Sequence, residues 1–155
     1  MIEAKILREL LTLFGRPEIP VNVRSAIADE LGTSGYLPAK NLLMQGLSNK
    51  DSSMRSACIR ALGIEMEVRE AASLLVAILL YDEYEHVKID AAYGLGALRY
   101  KPGLPAQQVI LEAEHDVTLR DAAYKAVLSI LGKEDAEDQH VGKAIDIDWD
   151  FVHGL

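Results

Sequence analysis

The sequence predicts an all-α protein, a solenoid of about four helical repeats, and three observations support this fold class. First, a segment built around one basic residue recurs four times along the 155-residue chain. Second, apolar residues within each copy follow the 3.6-residue period of a helix, and residues 1–133 show no alternation typical of a strand. Third, the copies are spaced by 31, 33 and 32 residues, a period typical of stacked helical repeats.

The columns of the repeat predict helices that are buried against their neighbours. The copies NVRSAIADELG, SMRSACIRALG, HVKIDAAYGLG and TLRDAAYKAVL align on the anchors Arg24, Arg55, Lys88 and Arg120. An apolar residue precedes each anchor, and small residues that allow close helix packing fill the middle of the segment. Eight residues after the anchor stand Gly32, Gly63 and Gly96, which we expect to end their helices as left-handed C-caps, whereas Leu128 occupies this position in the fourth copy.

Second helices are predicted between these segments, at 36–47, 68–82 and 103–116. Pro38 and Pro105 stand near the start of two of them, where the missing N–H costs little. The amphipathic segment IEAKILRELLTLF is expected to cap the first repeat, and Asp51 is predicted to be an N-cap. About eight helices with short connections are therefore expected.

The pattern V-R-x-A-A-x-x-A-L-G at this period resembles the HEAT-like repeats, specifically the short type also found in phycobilisome-lyase proteins. The resemblance covers roughly residues 20–131. It implies an αα-superhelix that binds proteins or peptides, usually without chemistry of its own, and whose arginine-bearing helices line the concave face. Asp90, in a column of small residues, and the missing glycine of the fourth copy depart from the pattern.

Charge divides the chain into two regions, a helical repeat domain with an N-terminal capping helix (1–133) and an acidic tail (134–155) that we expect to pack as a cap. The tail holds seven acidic residues and one lysine, and it therefore carries most of the net charge of −8. Neither region has the basic stripe that nucleic-acid binding needs. No apolar stretch approaches the roughly 20 residues of a membrane span. The single cysteine fits a reducing compartment, and we expect a cytoplasmic protein.

Apolar and acidic residues alternate with a period of two near the C-terminus. Ile145, Ile147, Trp149 and Phe151 are each separated by one aspartate. This period is typical of an extended strip, which we expect to pack on the solenoid with its apolar residues inward. The alternative is an acidic and aromatic motif that docks on a partner.

The sequence predicts neither a metal site, nor a cofactor, nor a catalytic nucleophile. Paired His-Glu motifs hold iron in some proteins of similar fold, but here Glu85-His86 and Glu114-His115 have the reverse order. The two pairs occupy different positions of the repeat, so stacking is not expected to bring them together. Cys58 lies in the apolar stripe of its helix, where a buried small hydrophobe is expected.

Partner-binding residues are predicted mainly at the positions one and five after each anchor, which lie one helical turn apart on one side of a helix. Tyrosine is favoured at interfaces because it combines an apolar ring with a polar tip, which singles out Tyr93. An ordinary solvated helix face has the same composition and is the alternative interpretation. The predicted residues are Ser56, Arg60, His86, Ile89, Tyr93, Asp121, Lys125 and Trp149.

These features predict a non-enzymatic scaffold or adaptor that binds a protein or peptide on its concave face, as a monomer or weak homodimer. A small acidic neutralising protein of the toxin-immunity type, whose tail occupies a basic site on its target, is one alternative. A chromophore-lyase-like subunit is the other, and the family resemblance alone suggests it.

Overall fold

The computed structural model describes residues 2–113, 116–133 and 147–154, and helices are the only regular secondary structure in these ranges. This is the predicted all-α superhelix. Eight helices form four antiparallel pairs, and a short ninth helix follows them. The helices are α1 (Ala4–Phe14), α2 (Val21–Thr33), α3 (Lys40–Gly46), α4 (Ser52–Ile59), α5 (Ala72–Tyr81), α6 (Glu85–Ala97), α7 (Leu104–Ala113), α8 (Val117–Leu131) and α9 (Trp149–His153).

The helices lie in two layers. The inner layer consists of α2, α4, α6 and α8, the four helices that carry the anchors, and each contacts the next along the stack. The outer layer consists of α1, α3, α5 and α7, each packed on the inner helix that follows it, with fewer contacts among themselves. The inner helices contact one another more extensively than the outer helices do. We call the exposed side of the inner layer the concave face, as the family resemblance implies.

The glycines of the repeat serve close packing between inner helices. A Cβ atom added to Gly32 would lie 2.6 Å from the Cα of Ala61, and one added to Gly63 would lie 2.9 Å from the Cα of Gly94. A Cβ atom added to Gly96 would lie 2.9 Å from the Cα of Ala126 in the fourth repeat. All three repeat glycines stand inside helical segments rather than after them. The prediction that they are left-handed C-caps is therefore wrong.

Each inner helix is instead closed by a left-handed residue three or four positions further on. These residues are Gly35, Glu67, Arg99 and Gly132, with φ angles of 62°, 51°, 48° and 69°. The next N–H then bonds back into the last turn, as from Tyr36 to Leu31 (3.0 Å) and from Tyr100 to Leu95 (3.1 Å), in the Schellman arrangement. The fourth copy thus has a terminating glycine, although not at the position that the repeat pattern indicated.

The inner helix of the second repeat continues into a π-helical turn. α4 leads directly into this turn at Arg60–Glu65, and the N–H of Met66 bonds to the carbonyl of Ala61, five residues earlier (2.9 Å). A π turn accommodates one inserted residue within a helix, and such turns are frequent at functional sites. The insertion explains why the left-handed residue of the second repeat comes one position later than that of the first.

Aspartates cap two of the inner helices. The carboxylate of Asp51 accepts a hydrogen bond from the N–H of Met54 (3.0 Å), which confirms the predicted cap of α4. Asp116 caps α8 in the same way through the N–H of Leu119 (2.8 Å).

No helix among the described residues combines the length and the apolar character that spanning a membrane requires.

The described part of the C-terminal tail is helical rather than extended. The carboxylate of Asp148 accepts a hydrogen bond from the N–H of Phe151 (3.0 Å) and so begins α9. Ile147 and Trp149 pack half-buried on a small apolar cluster, while Phe151 is 59% exposed. The buried members of this cluster are Leu104, Val127, Ile130 and Val152. The predicted period-two strip is wrong for these residues, and Ile145 lies outside the described ranges.

Candidate functional site

Three charged residues form an ion-pair ladder across three repeats of the inner layer. Arg60, the first residue of the π-helical turn, donates from Nε and Nη2 to the carboxylate of Asp29 on α2 at 3.0–3.2 Å. Its Nη1 donates to Asp90 on α6 at 2.9 Å. One guanidinium group therefore links the first, second and third repeats on the concave face. We call these three residues the ion ladder.

The charge of Arg60 is stabilised by its two partners. Partial burial alone would lower the pKa of the guanidinium, but the hydrogen bonds and charges of Asp29 and Asp90 outweigh this effect and raise the pKa. Asp90 departs from the small residues of its column, and the ladder accounts for this departure because its carboxylate completes the pairing.

The ion ladder belongs to a longer stripe of side chains on the concave face. Ile89 and Tyr93 of α6 are half-buried beside it, and on α8 Asp121 and Lys125 form an ion pair one turn apart (3.2 Å). His86 is exposed at the start of α6. We call the set the concave strip, and its members are Asp29, Arg60, His86, Ile89, Asp90, Tyr93, Asp121 and Lys125.

Two predicted site residues lie away from the concave strip. Ser56 is 2% exposed, and its hydroxyl has no hydrogen-bond partner among the described residues. Ser56 is buried against neighbouring helices, as is Ser25, so Ser56 cannot contact a partner in this structure, unlike Ile89 and Asp121 at the same position after their anchors. Trp149 packs on the cluster beneath α9. That the six remaining residues bind a partner stays a prediction.

Asp29 stands five residues after its anchor, at a predicted face position, but neither Asp29 nor Asp90 was among the predicted site residues. They stand 31 and 30 residues from Arg60, which is about one repeat before and one repeat after it. Opposite charges separated by one repeat period are the signal that could have identified them, because stacked repeats bring such positions together.

The anchors themselves hold the repeats together. Arg55 donates from Nε and Nη2 to both carboxylate oxygens of Asp82 (2.8 and 2.9 Å), and from Nη1 to the carbonyl of Asn49 (2.9 Å). Arg24 donates to the carbonyl of Phe14 (2.9 Å) and also covers its ring. The guanidinium group of Arg24 therefore binds the end of α1, and that of Arg55 binds the loop before α4 and the loop before α6.

The pKa of Asp82 reports the strength of this pairing. Burial would raise the pKa, but the hydrogen bonds from Arg55 and from the N–H of Tyr84, together with the charge of Arg55, outweigh it. The pKa of Asp82 consequently lies below its ordinary value.

Cys58 is not placed to act as a nucleophile. Its side chain is fully buried beside Met54, and burial raises the pKa of the thiol to about 12, so that the thiol is protonated at neutral pH. Within the described ranges, no three histidine, cysteine, aspartate or glutamate side chains converge as a set of metal ligands. Glu114 and His115 lie outside these ranges.

Comparisons with known proteins identify similar repeats and one similar enzyme. A family model described as HEAT repeats matches residues 8–96, which is more than half of the chain. The structure of human deoxyhypusine hydroxylase in complex with glycerol is similar with a TM-score of 0.67 and 21% identity. The match covers 84% of this chain and 45% of that chain, so this chain spans less than half the length of the enzyme. No curated protein matches the sequence.

The structural match corrects the predicted function. A solenoid of this kind was expected to indicate a non-enzymatic adaptor, but an enzyme, deoxyhypusine hydroxylase, has a similar fold over 45% of its chain. The prediction of a non-enzymatic scaffold is therefore wrong, since this architecture does not imply the absence of catalysis. The two alternatives attached to it, an acidic neutralising protein and a chromophore-lyase-like subunit, are withdrawn with it.

Proposed function

Because the chain belongs to the HEAT-repeat family, we propose that it is the polypeptide-recognition module of a catalytic assembly and binds a protein or peptide along the concave strip. HEAT repeats commonly mediate protein interactions, and one similar solved structure is an enzyme of about twice the length. The observation that carries the proposal is the ion ladder, which links three repeats on the exposed side of the inner layer before any partner arrives.

The composition of the concave strip suits an extended polypeptide. The half-buried side chains of Ile89 and Tyr93 offer apolar surface between charged groups of both signs. Charges at the rim of an interface determine register and specificity, whereas a central aromatic residue contributes affinity. A partner that places an apolar side chain over Tyr93 and charged groups on either side of it would match the strip.

A rigid binding surface reduces the entropy that association costs. Arg60 takes both oxygens of Asp29 and one of Asp90, so these three side chains lose little rotamer freedom when a partner binds. In this proposal the module supplies position and specificity to the catalytic assembly.

Site-specific photo-crosslinking tests the proposal. A photoreactive amino acid replaces Tyr93 in one variant and Leu74, an exposed residue of the outer helix α5, in the matched control. We expect the first variant alone to capture a partner, and mass spectrometry to identify that partner as an enzyme or as the substrate of one. Equal capture by both variants, or no capture by either, would contradict binding at the concave strip.

The purified partner then allows a quantitative test. Tyr93→Ala should weaken its binding by about tenfold or more, as expected for a central aromatic residue, whereas Leu74→Ala should leave it unchanged. A captured partner with no connection to a catalysed reaction would contradict the catalytic part of the proposal and leave the binding site standing.

A further inference from the structure

We infer that a cleft between the end of α8 and α9 binds an acidic peptide segment that carries an apolar side chain. The cleft has a volume of about 470 Å³ and lies away from the concave strip. It is lined by Arg99, Lys101, Ile130, Leu131, Gly132, Lys133 and Phe151. The inference is independent of the proposed function, because none of these residues belongs to the strip.

The charge of the cleft is opposite to that of the chain. Among the residues that the structure describes, Arg99, Lys101 and Lys133 line it and no acidic residue does, although the protein carries a net charge of −8. The side chains of Lys101 and Lys133 are exposed, and they make no hydrogen bond or ion pair with the described part of the chain. Cationic groups on opposite sides of a cleft attract carboxylates that flank a central side chain.

The end of α6 places a third cation in the cleft. Arg99 closes this helix in a left-handed conformation (φ 48°). The equivalent closing position holds Gly35 in the first repeat, Glu67 in the second and Gly132 in the fourth, so a side chain at this position is not peculiar to the third repeat. The side chain of Arg99 lines the cleft together with those of Lys101 and Lys133.

The apolar part of the cleft favours a peptide over a simple anion. Ile130 and Leu131 form its floor, and Phe151, 59% exposed, forms one wall. A bare phosphate or carboxylate would leave this surface in contact with water, whereas an apolar side chain between two acidic residues would cover it. Three cations are also too few for the charged stripe that a polynucleotide requires.

Fluorescence anisotropy of the full chain tests the inference. The probe is a short labelled peptide in which glutamates flank a single phenylalanine. We expect Lys101→Glu/Lys133→Glu to weaken its binding by about tenfold or more, because both ammonium groups are replaced by repelling charges. The matched control is Lys5→Glu/Lys50→Glu, which makes the same change in net charge at exposed positions outside the cleft, and binding should then be nearly unchanged.

One further variant and three further probes distinguish the possible ligands of the cleft. Phe151→Ala should also weaken binding, and a peptide of glutamate alone should bind less tightly than the probe. Equal loss in both double-lysine variants, or no detectable binding of the probe, would overturn the inference. So would displacement of the probe by inorganic phosphate without any effect of Phe151→Ala, since the cleft would then hold a simple anion. Equally tight binding of a thymidine oligonucleotide would overturn it as well.

Discussion

Arg55 and Asp82 form a bidentate ion pair that joins the inner helix of the second repeat to the loop before the inner helix of the third. The side chains are only 13% and 6% exposed, and the Arg55 guanidinium also lies 5.8 Å from the centre of the Tyr84 ring. The Arg55 anchor thus links two repeats, because its guanidinium group binds the loop before α4 and the loop before α6 at once.

We expect Asp82→Ala to lower the free energy of unfolding by about 2–3 kcal/mol, because it leaves a largely buried guanidinium without its carboxylate. Urea denaturation measures this loss. The control is Glu70→Gln, which removes the exposed ion pair with Lys40 and should leave the unfolding midpoint unchanged. Equal effects of the two variants would show that the Arg55–Asp82 pair contributes no more to the free energy of unfolding than an exposed ion pair does.

The same pair predicts a pH dependence of stability. The pKa of Asp82 is lower in the folded chain than its ordinary value, so its ionised form stabilises the fold at neutral pH. This contribution is complete above the pKa of an unfolded aspartate, about 3.9, and is lost as the pH falls through the lower folded-state value. The difference in stability between the unmodified chain and Asp82→Asn should therefore shrink below about pH 4. A difference that stays constant down to pH 2 would contradict this assignment.

The fold could be predicted from the sequence because every repeat obeys the same packing constraint. Small residues and a basic anchor recur at the same positions, and their period alone indicates stacked helices. The role of Gly32 could not be predicted, because a glycine at the end of an apolar stripe is compatible with a C-cap and with close helix packing. Only the position of Ala61, one repeat later, distinguishes the two.

The candidate site was predicted only in part, because some of its contacts join residues of different repeats. Arg60 and Tyr93 follow from helical spacing within one repeat, whereas the ladder partners of Arg60 stand about 30 residues away in other repeats. For residues 147–154 of the tail, the predicted extended form was wrong because the alternation suggested a strand. The cap at Asp148 and the burial of Val152, which lies outside that alternation, favour a helix instead.

Close packing of the inner helices predicts a penalty at Gly32. Gly32→Ala should lower the free energy of unfolding by about 1–3 kcal/mol, because its methyl group must displace the backbone at Ala61. This would occur although alanine has the higher helix propensity. Gly15→Ala is the matched control, since its methyl group would make only ordinary contacts, the nearest being 3.5 Å from Leu42. Similar melting temperatures for the two variants would contradict the packing role.

The left-handed residue of the second repeat predicts a stabilising substitution. Glu67 is exposed and has a φ of 51°, a conformation that costs a residue with a Cβ atom about 1–2 kcal/mol. Glu67→Gly should raise the free energy of unfolding by about 1 kcal/mol, because the relief of strain exceeds the added freedom of the unfolded chain. The control is Glu65→Gly, inside the π-helical turn, which should destabilise the protein. A loss of stability in Glu67→Gly would contradict the claim that the left-handed backbone at Glu67 is strained.

The packing of α9 predicts the environment of Trp149, the single tryptophan of the chain. Trp149 packs beside buried Val152 in the cluster with α7 and α8, so its emission should be blue-shifted in the native protein and should move to the red on unfolding. Val152→Ala removes packing from that cluster and should shift the native emission toward the red. Phe151→Ala is the control, because the exposed Phe151 side chain lies outside the cluster. A native emission like that of free tryptophan, or equal shifts in both variants, would mean that α9 does not pack on the solenoid in solution.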